Sequence, residues 1–256
     1  MSGHLHHSGH DYGALVEGWK AVCEGSGLDL GVFCEINGLP VLKITNGAAS
    51  ARDPGGLYVS AGVHGDECAP VWALLEWAAS KPEILRDRPV TLFPCLNPVG
   101  LVENTRRDGN GVDLNRSFTD VSQPVIAAWQ EALEGCRFDV SVNLHEDYDA
   151  TGIYLYELTR GESKGDRLLD ACSIHLPRET AAVIDGSDFT NGLLVRTSGI
   201  EEVVAEQLGG GYPEAILLFL KYAAVSYTFE TPSEADLSRR IAAHRTFLDS
   251  LFGPSV

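Results

Sequence analysis

A histidine and a glutamate three residues apart form the first candidate for chemistry. Residues 62–67 read GVHGDE, which places His64 and Glu67 in an H-x-x-E pattern at the end of an apolar run. Residues three apart on a helical turn lie on one side, so an imidazole and a carboxylate can reach the same ion. Both groups are zinc ligands. H-x-x-E is common by chance, so these two residues remain candidates until other ligands join them.

A third candidate ligand follows a second apolar segment. Zinc sites that hydrolyse bonds use three protein ligands and leave one coordination position for water. Residues 142–145 read VNLH, and His145 ends a stretch in which apolar and polar residues alternate from residue 138. A single histidine at a strand end is more often a structural hydrogen-bonding residue. Its interpretation as a ligand therefore depends on the other motifs.

Two groups of arginines lie on one polar, Gly-rich connection, residues 97–118. Residues 105–107 read TRR and residues 111–116 read GVDLNR. Arginine offers a planar fork that matches a carboxylate, and Asn115 adds an amide donor, so the connection is a candidate anion site. The alternative, that these arginines pair with surface acids, stays open at this point.

A glutamate ends another apolar segment, residues 227–230 (YTFE). A carboxylate in partly desolvated surroundings has a raised pKa, which suits a general base. The alternative is that Glu230 supports the start of a helix. Residues 231–234 (TPSE) have the spacing of a capping box with proline at the first helical position, so a helix is predicted to begin there.

The elements that must position these residues follow from the apolar pattern. Strands are predicted at 57–63, 90–96, 138–144 and 224–229, and helices at 69–80, 122–136, 162–175 and from 231 to about 251. Residues 12–45 indicate a helix followed by short strands. This alternation predicts an α/β fold with a mixed, mostly parallel central sheet flanked by helices. His64, His145 and Glu230 each follow a predicted strand, where open α/β sheets place their ligands.

Composition excludes several classes of protein. The 256 residues carry a formal charge of -17, which disfavours binding to nucleic acid or to an anionic membrane. Hydrophobic residues make up 44% and charged residues 21%, which predicts a folded chain with a sizeable core. No apolar run reaches the roughly 20 residues of a membrane helix, and no signal-peptide core is present. We therefore expect a cytoplasmic protein whose six cysteines are buried thiols.

We expect one catalytic domain over residues 1–256. Four histidines crowd the polar N-terminus: His4, His6, His7 and His10. They could bind metal, but a disordered or loosely ordered tail over residues 1–11 is the simpler interpretation, because terminal segments are usually loose.

Taken in order, the motifs resemble a known family. H-x-x-E, N-P-x-G, T-R, G-V-D-L-N-R, L-H and T-F-E-T-P follow one another over about residues 56–232. This series resembles the zinc metallocarboxypeptidase family of the carboxypeptidase A type, and most of all its short bacterial members such as murein peptide amidase. The resemblance implies one zinc ion, a small peptide substrate, and hydrolysis of a peptide or amide bond adjacent to a free carboxylate.

The resemblance also implies a role for each matching residue. His64, Glu67 and His145 match the zinc ligands, and Glu230 matches the general base. The remaining matches are Asp113, which orients the first histidine; Arg106, which polarises the scissile carbonyl, with Arg107 as an alternative; and Asn115 and Arg116, which hold the terminal carboxylate.

One part of the family pattern does not transfer. Larger members have a mobile tyrosine before a Gly-Gly segment, whereas Gly209–Gly211 here follow the residues AEQ. Tyr212 comes after the glycines and could contact substrate, although packing on the core is the better interpretation. Glu146 and Asp147, beside His145, could recruit a second metal, although acids that are solvated or that line the pocket are the simpler interpretation.

Rival functions remain. The related acylase group, of the succinylglutamate desuccinylase and aspartoacylase type, shares H-G-x-E and D-L-N-R and removes N-acyl groups from amino acids. Its members usually have an added C-terminal domain, whereas this sequence ends about 26 residues after Glu230, which favours a peptidase. A non-catalytic binding protein would need no general base. A dinucleotide-dependent oxidoreductase would need a G-x-G-x-x-G segment, which the sequence lacks.

Overall fold

The structure is a computed structural model, and it describes residues 9–46 and 56–252. Helices and strands alternate along most of this length. In chain order they are α1 (Tyr12–Ser26), β1 (Asp29–Ile36), β2 (Leu39–Thr45), β3 (Leu57–Ala61), α2 (Cys68–Ser80), α3 (Pro82–Asp87), β4 (Val90–Phe93), α4 (Pro98–Glu103), α5 (Pro124–Ala132), β5 (Phe138–Asp147), β6 (Tyr154–Thr159), α6 (Gly165–Cys172), β7 (Val183–Ile184), β8 (Ser187–Asp188), β9 (Leu193–Arg196), α7 (Ile200–Glu206), α8 (Glu214–Lys221), β10 (Ala223–Pro232) and α9 (Leu237–Phe252).

Eight strands form one sheet in the order β1-β2-β4-β3-β5-β10-β6-β9. The four central strands, β4, β3, β5 and β10, are parallel to one another. Antiparallel pairing adds β2 and then β1 at one side, and β6 at the other, where β9 pairs in parallel with β6. The predicted α/β fold with a mixed, mostly parallel central sheet is confirmed.

Helices cover both faces of the sheet because its central strands are apolar on both sides. Every residue of β3 and of β4 is buried, the pattern of parallel strands inside an α/β fold. One face packs against α1, α2, α6 and α9 in a core that holds Trp19 and Trp77. The other face packs against α5 and α8 around Trp129. The sheet edge where the parallel strands end is left for the site.

The prediction that a helix begins at residue 231 is wrong. Strand β10 continues through Thr231 and Pro232, which pair with Glu146 and Asp147 of β5. Helix α9 begins only at Leu237, and Asp236 accepts a hydrogen bond from the backbone of Ser238 (2.9 Å). The local capping pattern was overridden because extending β10 satisfies backbone groups along a buried neighbouring strand.

Other boundaries differ in smaller ways. The predicted connection 97–118 contains the short helix α4, whose first turn is capped by the Asn97 side chain accepting from Gly100 N (2.9 Å). The helix predicted at 162–175 is shortened to α6, and the sheet extends beyond His145 through β6 and β9. All six cysteines are free thiols, as expected, but Cys34 and Cys136 are only half-buried. Within the described ranges, no helix is long and apolar enough to cross a bilayer.

The predicted tail lies partly outside the described residues, which begin at Gly9. Its last three residues contact the body of the fold. The Gly9 carbonyl accepts from Trp72 Nε1 (3.0 Å), His10 Nδ1 lies 2.8 Å from the Leu101 carbonyl oxygen, and Asp11 caps α1. Of the four N-terminal histidines, only His10 can therefore be placed.

Glu179 is a buried carboxylate that holds together two loops near the end of β5. Its Oε2 accepts from Thr151 N (2.7 Å), Thr151 Oγ1 (3.0 Å) and Gly152 N (2.9 Å). Its Oε1 accepts from Thr180 N (2.7 Å) and Ala181 N (2.9 Å). Burial opposes ionisation, but these hydrogen bonds outweigh it and lower the pKa of Glu179 to about 2.

We expect Glu179→Gln to destabilise the protein by about 1–3 kcal/mol, because the amide nitrogen cannot accept from the backbone donors. The pKa of the folded state lies below its ordinary value of 4.5, so the carboxylate stabilises fully above about pH 5 and loses this effect as pH falls toward 2. Urea unfolding of both proteins at pH 7 and pH 3 measures this. The difference should shrink at pH 3; an unchanged difference would contradict the assignment.

Candidate active site

The turn from β3 into α2 carries His64 and Glu67 through a close backbone approach. Gly62 has φ of 60°, in the left-handed region that favours glycine. A Cβ at Gly65 would lie 1.9 Å from the carbonyl carbon of Gly100, at the start of α4. Only glycine fits at residue 65, so the two glycines that flank His64 shape the turn that presents its ring.

The structure brings together the three predicted metal ligands. The donor atoms of His64, Glu67 and His145 lie within 4.8 Å of one another, and all three residues are buried. His64 Nδ1 is hydrogen-bonded to Glu67 Oε1, and His145 Nδ1 lies 2.9 Å from Glu67 Oε2. Two imidazoles thus face one carboxylate, although His64 and His145 are 81 positions apart in the sequence.

This donor set suits a divalent cation. Glu67 Oε2 is buried and forms no regular hydrogen bond, although His145 Nδ1 lies 2.9 Å away. Burial opposes ionisation of Glu67, but the two histidines outweigh it and lower the pKa of the carboxyl. Burial also opposes protonation of His64, while Glu67 and Asp113 raise the pKa of that imidazole to about 9. The pocket therefore favours positive charge around an ionised carboxylate, which a metal ion would also provide.

Asp113 supports His64 from the side away from Glu67. Its Oδ1 lies 3.4 Å from His64 Nε2, and its Oδ2 accepts from Arg106 Nε (3.1 Å). A carboxylate against the second nitrogen of an imidazole fixes the orientation of the ring. The residue that the family resemblance matched to this role is therefore beside the histidine that it would orient.

Arg106, rather than Arg107, faces the site. Arg106 Nη1 lies 3.3 Å from His64 Nδ1, and 44% of the Arg106 side chain remains exposed to the open side. Arg107 Nη1 instead donates to the carbonyl of Gly111 (2.9 Å) within its own loop. The sequence left both arginines open for one role, and the contacts favour Arg106.

Glu230 lies beside His145 because their strands are paired in register. Glu230 of β10 is opposite His145 of β5 on one side and Tyr154 of β6 on the other. Glu230 is 9% exposed, and burial, followed by the charges of neighbouring acids that include Glu67, raises the pKa of its carboxyl to about 8, against the opposing effect of His145. A group with such a pKa can take up and release a proton near neutral pH.

Asn115 and Arg116 lie on a short 3-10 turn that follows Asp113. Asn115 Oδ1 accepts from the backbone of Glu214 (3.0 Å), which leaves the amide nitrogen of Asn115 as its donor group. Arg116 Nη1 donates to the Asn115 carbonyl (2.9 Å). Burial opposes ionisation of Asp113, but His64 first, and then the charges of Arg106 and Arg116, lower the pKa of its carboxyl. A Cβ at Gly211 would lie 2.7 Å from the Arg116 carbonyl oxygen, so Gly211 packs closely against this turn.

The two acids after His145 are held by other contacts. Neighbours on a strand point to opposite faces, so Glu146 lies behind the sheet, where it accepts from Arg240 Nη1 (2.6 Å). Asp147 Oδ2 accepts from Tyr154 Oη (2.8 Å). In the described part of the chain, one group of three ligand residues is close enough to hold a metal, and it contains neither acid.

Two tyrosines of β6 border the site, and sequence reasoning missed both. Tyr154 and Tyr156 alternate along the strand and contact each other edge to face, with ring centroids 5.8 Å apart. Burial and the charge of Glu230 raise the pKa of each phenol. The alternation in residues 154–159 (YLYELT) was the available signal for this strand. Tyr212, in contrast, packs in a separate apolar cluster with Ile216 and Phe219.

Comparison with known families gives a partial match in sequence. Residues 55–155 match the profile of the succinylglutamate desuccinylase/aspartoacylase catalytic domain. This range contains the two histidines and the glutamate of the candidate metal site together with the arginine loop, and it covers less than half of the chain. No curated protein matches the sequence.

Solved structures match nearly the whole chain. A candidate metallopeptidase from Shewanella denitrificans superposes with a TM-score of 0.81 at 21% identity, over 94% of this chain and 89% of the other. A metallo-carboxypeptidase from Burkholderia cenocepacia gives 0.68 at 15% identity, over 94% and 68%. A metallo-carboxypeptidase from Pseudomonas aeruginosa gives 0.64 at 15% identity, over 94% and 67%.

These likenesses agree with the motif order found in the sequence. The structural matches cover 94% of this chain, and the profile match falls on the segment that supplies His64, Glu67 and His145. The chain therefore has the fold of these metallopeptidases and metallo-carboxypeptidases, and its segment 55–155 is similar to the desuccinylase/aspartoacylase catalytic domain.

Proposed function

We propose that this protein is a zinc-dependent hydrolase that cuts a peptide or amide bond adjacent to a free carboxylate. The observation that carries the proposal is the convergence of His64, Glu67 and His145 around one buried point, with Glu230 beside His145 in the next strand. A binding protein would have no need of a buried glutamate in register with a metal ligand at this position.

His64, Glu67 and His145 would hold the metal, and two histidines with one carboxylate are a ligand set typical of catalytic zinc. When bound, zinc supplies a lowered pKa for a coordinated water and a positive charge for a carbonyl oxygen. Asp113 keeps the His64 ring in place, through its position 3.4 Å from Nε2. The chain's own residues supply the proton transfer and the binding of substrate.

Glu230 acts as the general base in this proposal. Its carboxylate accepts a proton from the attacking water and then delivers it to the nitrogen of the leaving amine. Its position opposite His145 keeps it at the end of the sheet where the ligands converge. Tyr156, which is half-buried, lies on the next strand, β6.

Arg106 and the Asn115–Arg116 turn bind the substrate in this proposal. The exposed part of Arg106 is available to donate to the scissile carbonyl as negative charge develops on its oxygen. The guanidinium of Arg116 and the amide of Asn115 bind the free carboxylate and so fix which bond lies next to the metal site. These arginines explain how a chain with a net charge of -17 can still bind an anionic substrate.

Carboxypeptidase activity on a small peptide, with cell-wall peptides as one possible group, is the first candidate. It is supported by structural likeness to metallo-carboxypeptidases over 94% of the chain. The second candidate is deacylation of an N-acyl amino acid. It is supported by the match of residues 55–155 to the desuccinylase/aspartoacylase catalytic domain. Both reactions cut an amide bond in a substrate with a free carboxylate.

A substrate panel tests the function and separates the two candidates. Zinc-loaded protein should hydrolyse one of three classes: C-terminal peptides, diaminopimelate-containing peptides or N-acyl amino acids. Release of amino acid is measured with the amidated form of each substrate as the control. Because the carboxylate is required for binding, the amidated forms should react at least ten-fold more slowly. Turnover of none of the three classes would remove the proposed function.

Glu230→Gln should lower kcat by about 10²–10⁴-fold, because the amide cannot accept the proton from water. Zinc content should stay at the wild-type level, since Glu230 is not among the three ligands. Steady-state kinetics and metal analysis on the same preparation give the two values. Wild-type kcat in this variant would remove Glu230 from the role of base.

Arg116→Ala should raise KM by about 10–100-fold, because a charged hydrogen bond to the substrate carboxylate contributes roughly 1.5–3 kcal/mol. Arg107→Ala is the matched control, since Arg107 bonds back to its own loop and should leave KM unchanged. Kinetics with the best substrate of the panel provide the measurement. Equal effects of the two substitutions would show that Arg116 has no specific part in binding.

A further inference from the structure

A buried carboxylate behind the site bonds to three separate segments of the chain. Glu146 Oε2 accepts from the backbone of Ala69 (2.9 Å), and its Oε1 accepts from Thr231 Oγ1 (3.2 Å) and from Arg240 Nη1 (2.6 Å). The Glu146 side chain is fully buried, and that of Arg240 is 11% exposed. Both carboxylate oxygens are therefore occupied by donors from the protein.

Two of these segments, and the strand of Glu146 itself, each carry one residue of the candidate active site, whereas Arg240 lies on α9 outside it. Ala69 follows Glu67 by two residues at the start of α2, Thr231 follows Glu230 directly on β10, and Glu146 itself follows His145 on β5. Adjacent residues of a strand point to opposite faces. Glu146 thus joins, from behind the sheet, the same segments that meet in front of it around the metal site.

Glu146 can make these contacts inside the core because it forms an ion pair with Arg240. Burying a carboxylate costs folding free energy unless the group is paired and hydrogen-bonded. Arg240 on helix α9 supplies the positive charge that pairs with Glu146. His244, one turn further along α9, places its Nε2 3.1 Å from the Thr231 hydroxyl. The C-terminal helix therefore reaches the ends of β5 and β10 through two polar side chains.

A second bridge between the same helices provides a comparison. Arg245 Nη1 of α9 lies 2.7 Å from Glu76 Oε2 of α2, so it also connects α2 with α9. Arg245 and Glu76 are more exposed than Glu146 and Arg240. In the sequence, neither residue lies within eight positions of Glu67, His145 or Glu230. An ion pair can therefore connect α2 with α9 without contacting the segments that carry the metal ligands.

We propose that the Glu146–Arg240 ion pair is a positioning pair, which holds the segments of Glu67, His145 and Glu230 at the separation that the metal needs. Neither residue touches metal or substrate; both act through the backbone positions that they bind. The pair therefore sets the affinity for zinc and the turnover. The turnover part rests on the proposed function, whereas the metal affinity does not.

The test uses the full-length protein with Zn²⁺ as the probe. Glu146→Gln should weaken zinc binding by about 10–100-fold, the usual effect of losing a group that supports metal ligands. The Ala69 amide should exchange its hydrogen faster, and kcat should fall more than KM rises. Zinc affinity is measured by competition with a chelating dye, and amide exchange by mass spectrometry or NMR. Arg245→Met is the matched control and should leave all three values at wild type.

A double substitution separates positioning from general stability. Arg240→Met leaves an unpaired buried carboxylate and should lower the unfolding midpoint; adding Glu146→Gln removes that charge and should recover much of the stability. Zinc affinity should not recover, because the bridge between α9 and the ligand segments is still missing. A merely structural role would restore stability and zinc affinity together, and that result would overturn the proposal.

The outcomes also distinguish this inference from the proposed function. If Glu146→Gln is folded and binds zinc as tightly as wild type, the positioning role is wrong whatever the substrate. If zinc affinity falls as expected but no substrate of the panel is hydrolysed, the positioning role stands and the hydrolase proposal fails. Should Glu146→Gln not fold, Arg240→Lys, which keeps the charge but offers a smaller donor group, gives the same comparison of zinc affinity.

Discussion

The parallel pairing of β5 with β10 is the constraint on which the site depends. Glu230 lies opposite His145 only because the two strands are in register from Ala223 to Pro232. The side-chain period of a strand is two, so a slip of one residue would move Glu230 to the opposite face of the sheet. Stacking of Phe229 on Phe247 of α9, with ring centroids 4.5 Å apart, stabilises that register from the other face.

The sheet therefore separates two kinds of polar chemistry. In front, buried imidazoles and carboxylates and a partly exposed arginine converge on the candidate metal site. Behind, Glu146, Arg240 and Thr231 satisfy one another inside the core. Buried charge is stable on each face for a different reason. In front, the imidazoles and carboxylates face one another and a cation can bridge them. Behind, both oxygens of the Glu146 carboxylate accept hydrogen bonds from the protein.

The same framework explains why two activities compete as descriptions of this chain. Carboxypeptidases and N-acyl amino acid deacylases both cut an amide bond close to a free carboxylate, so both can use a His-Glu-His metal site, a base and an arginine. Tyr154 and Tyr156 of β6, the strand next to that of Glu230, lie outside these shared features.

The amino-acid sequence by itself determined the fold class and the local halves of the site, because apolar runs such as residues 57–61 and 90–93 and the spacing of His64 from Glu67 are properties of short segments. It failed at residue 231, where strand pairing overrode a capping pattern. It also missed the tyrosines of β6 and the contact of Glu146 with Arg240, 94 positions away. Only the tertiary structure decided these, because they depend on which strands and helices become neighbours, and no local pattern encodes a contact over that separation.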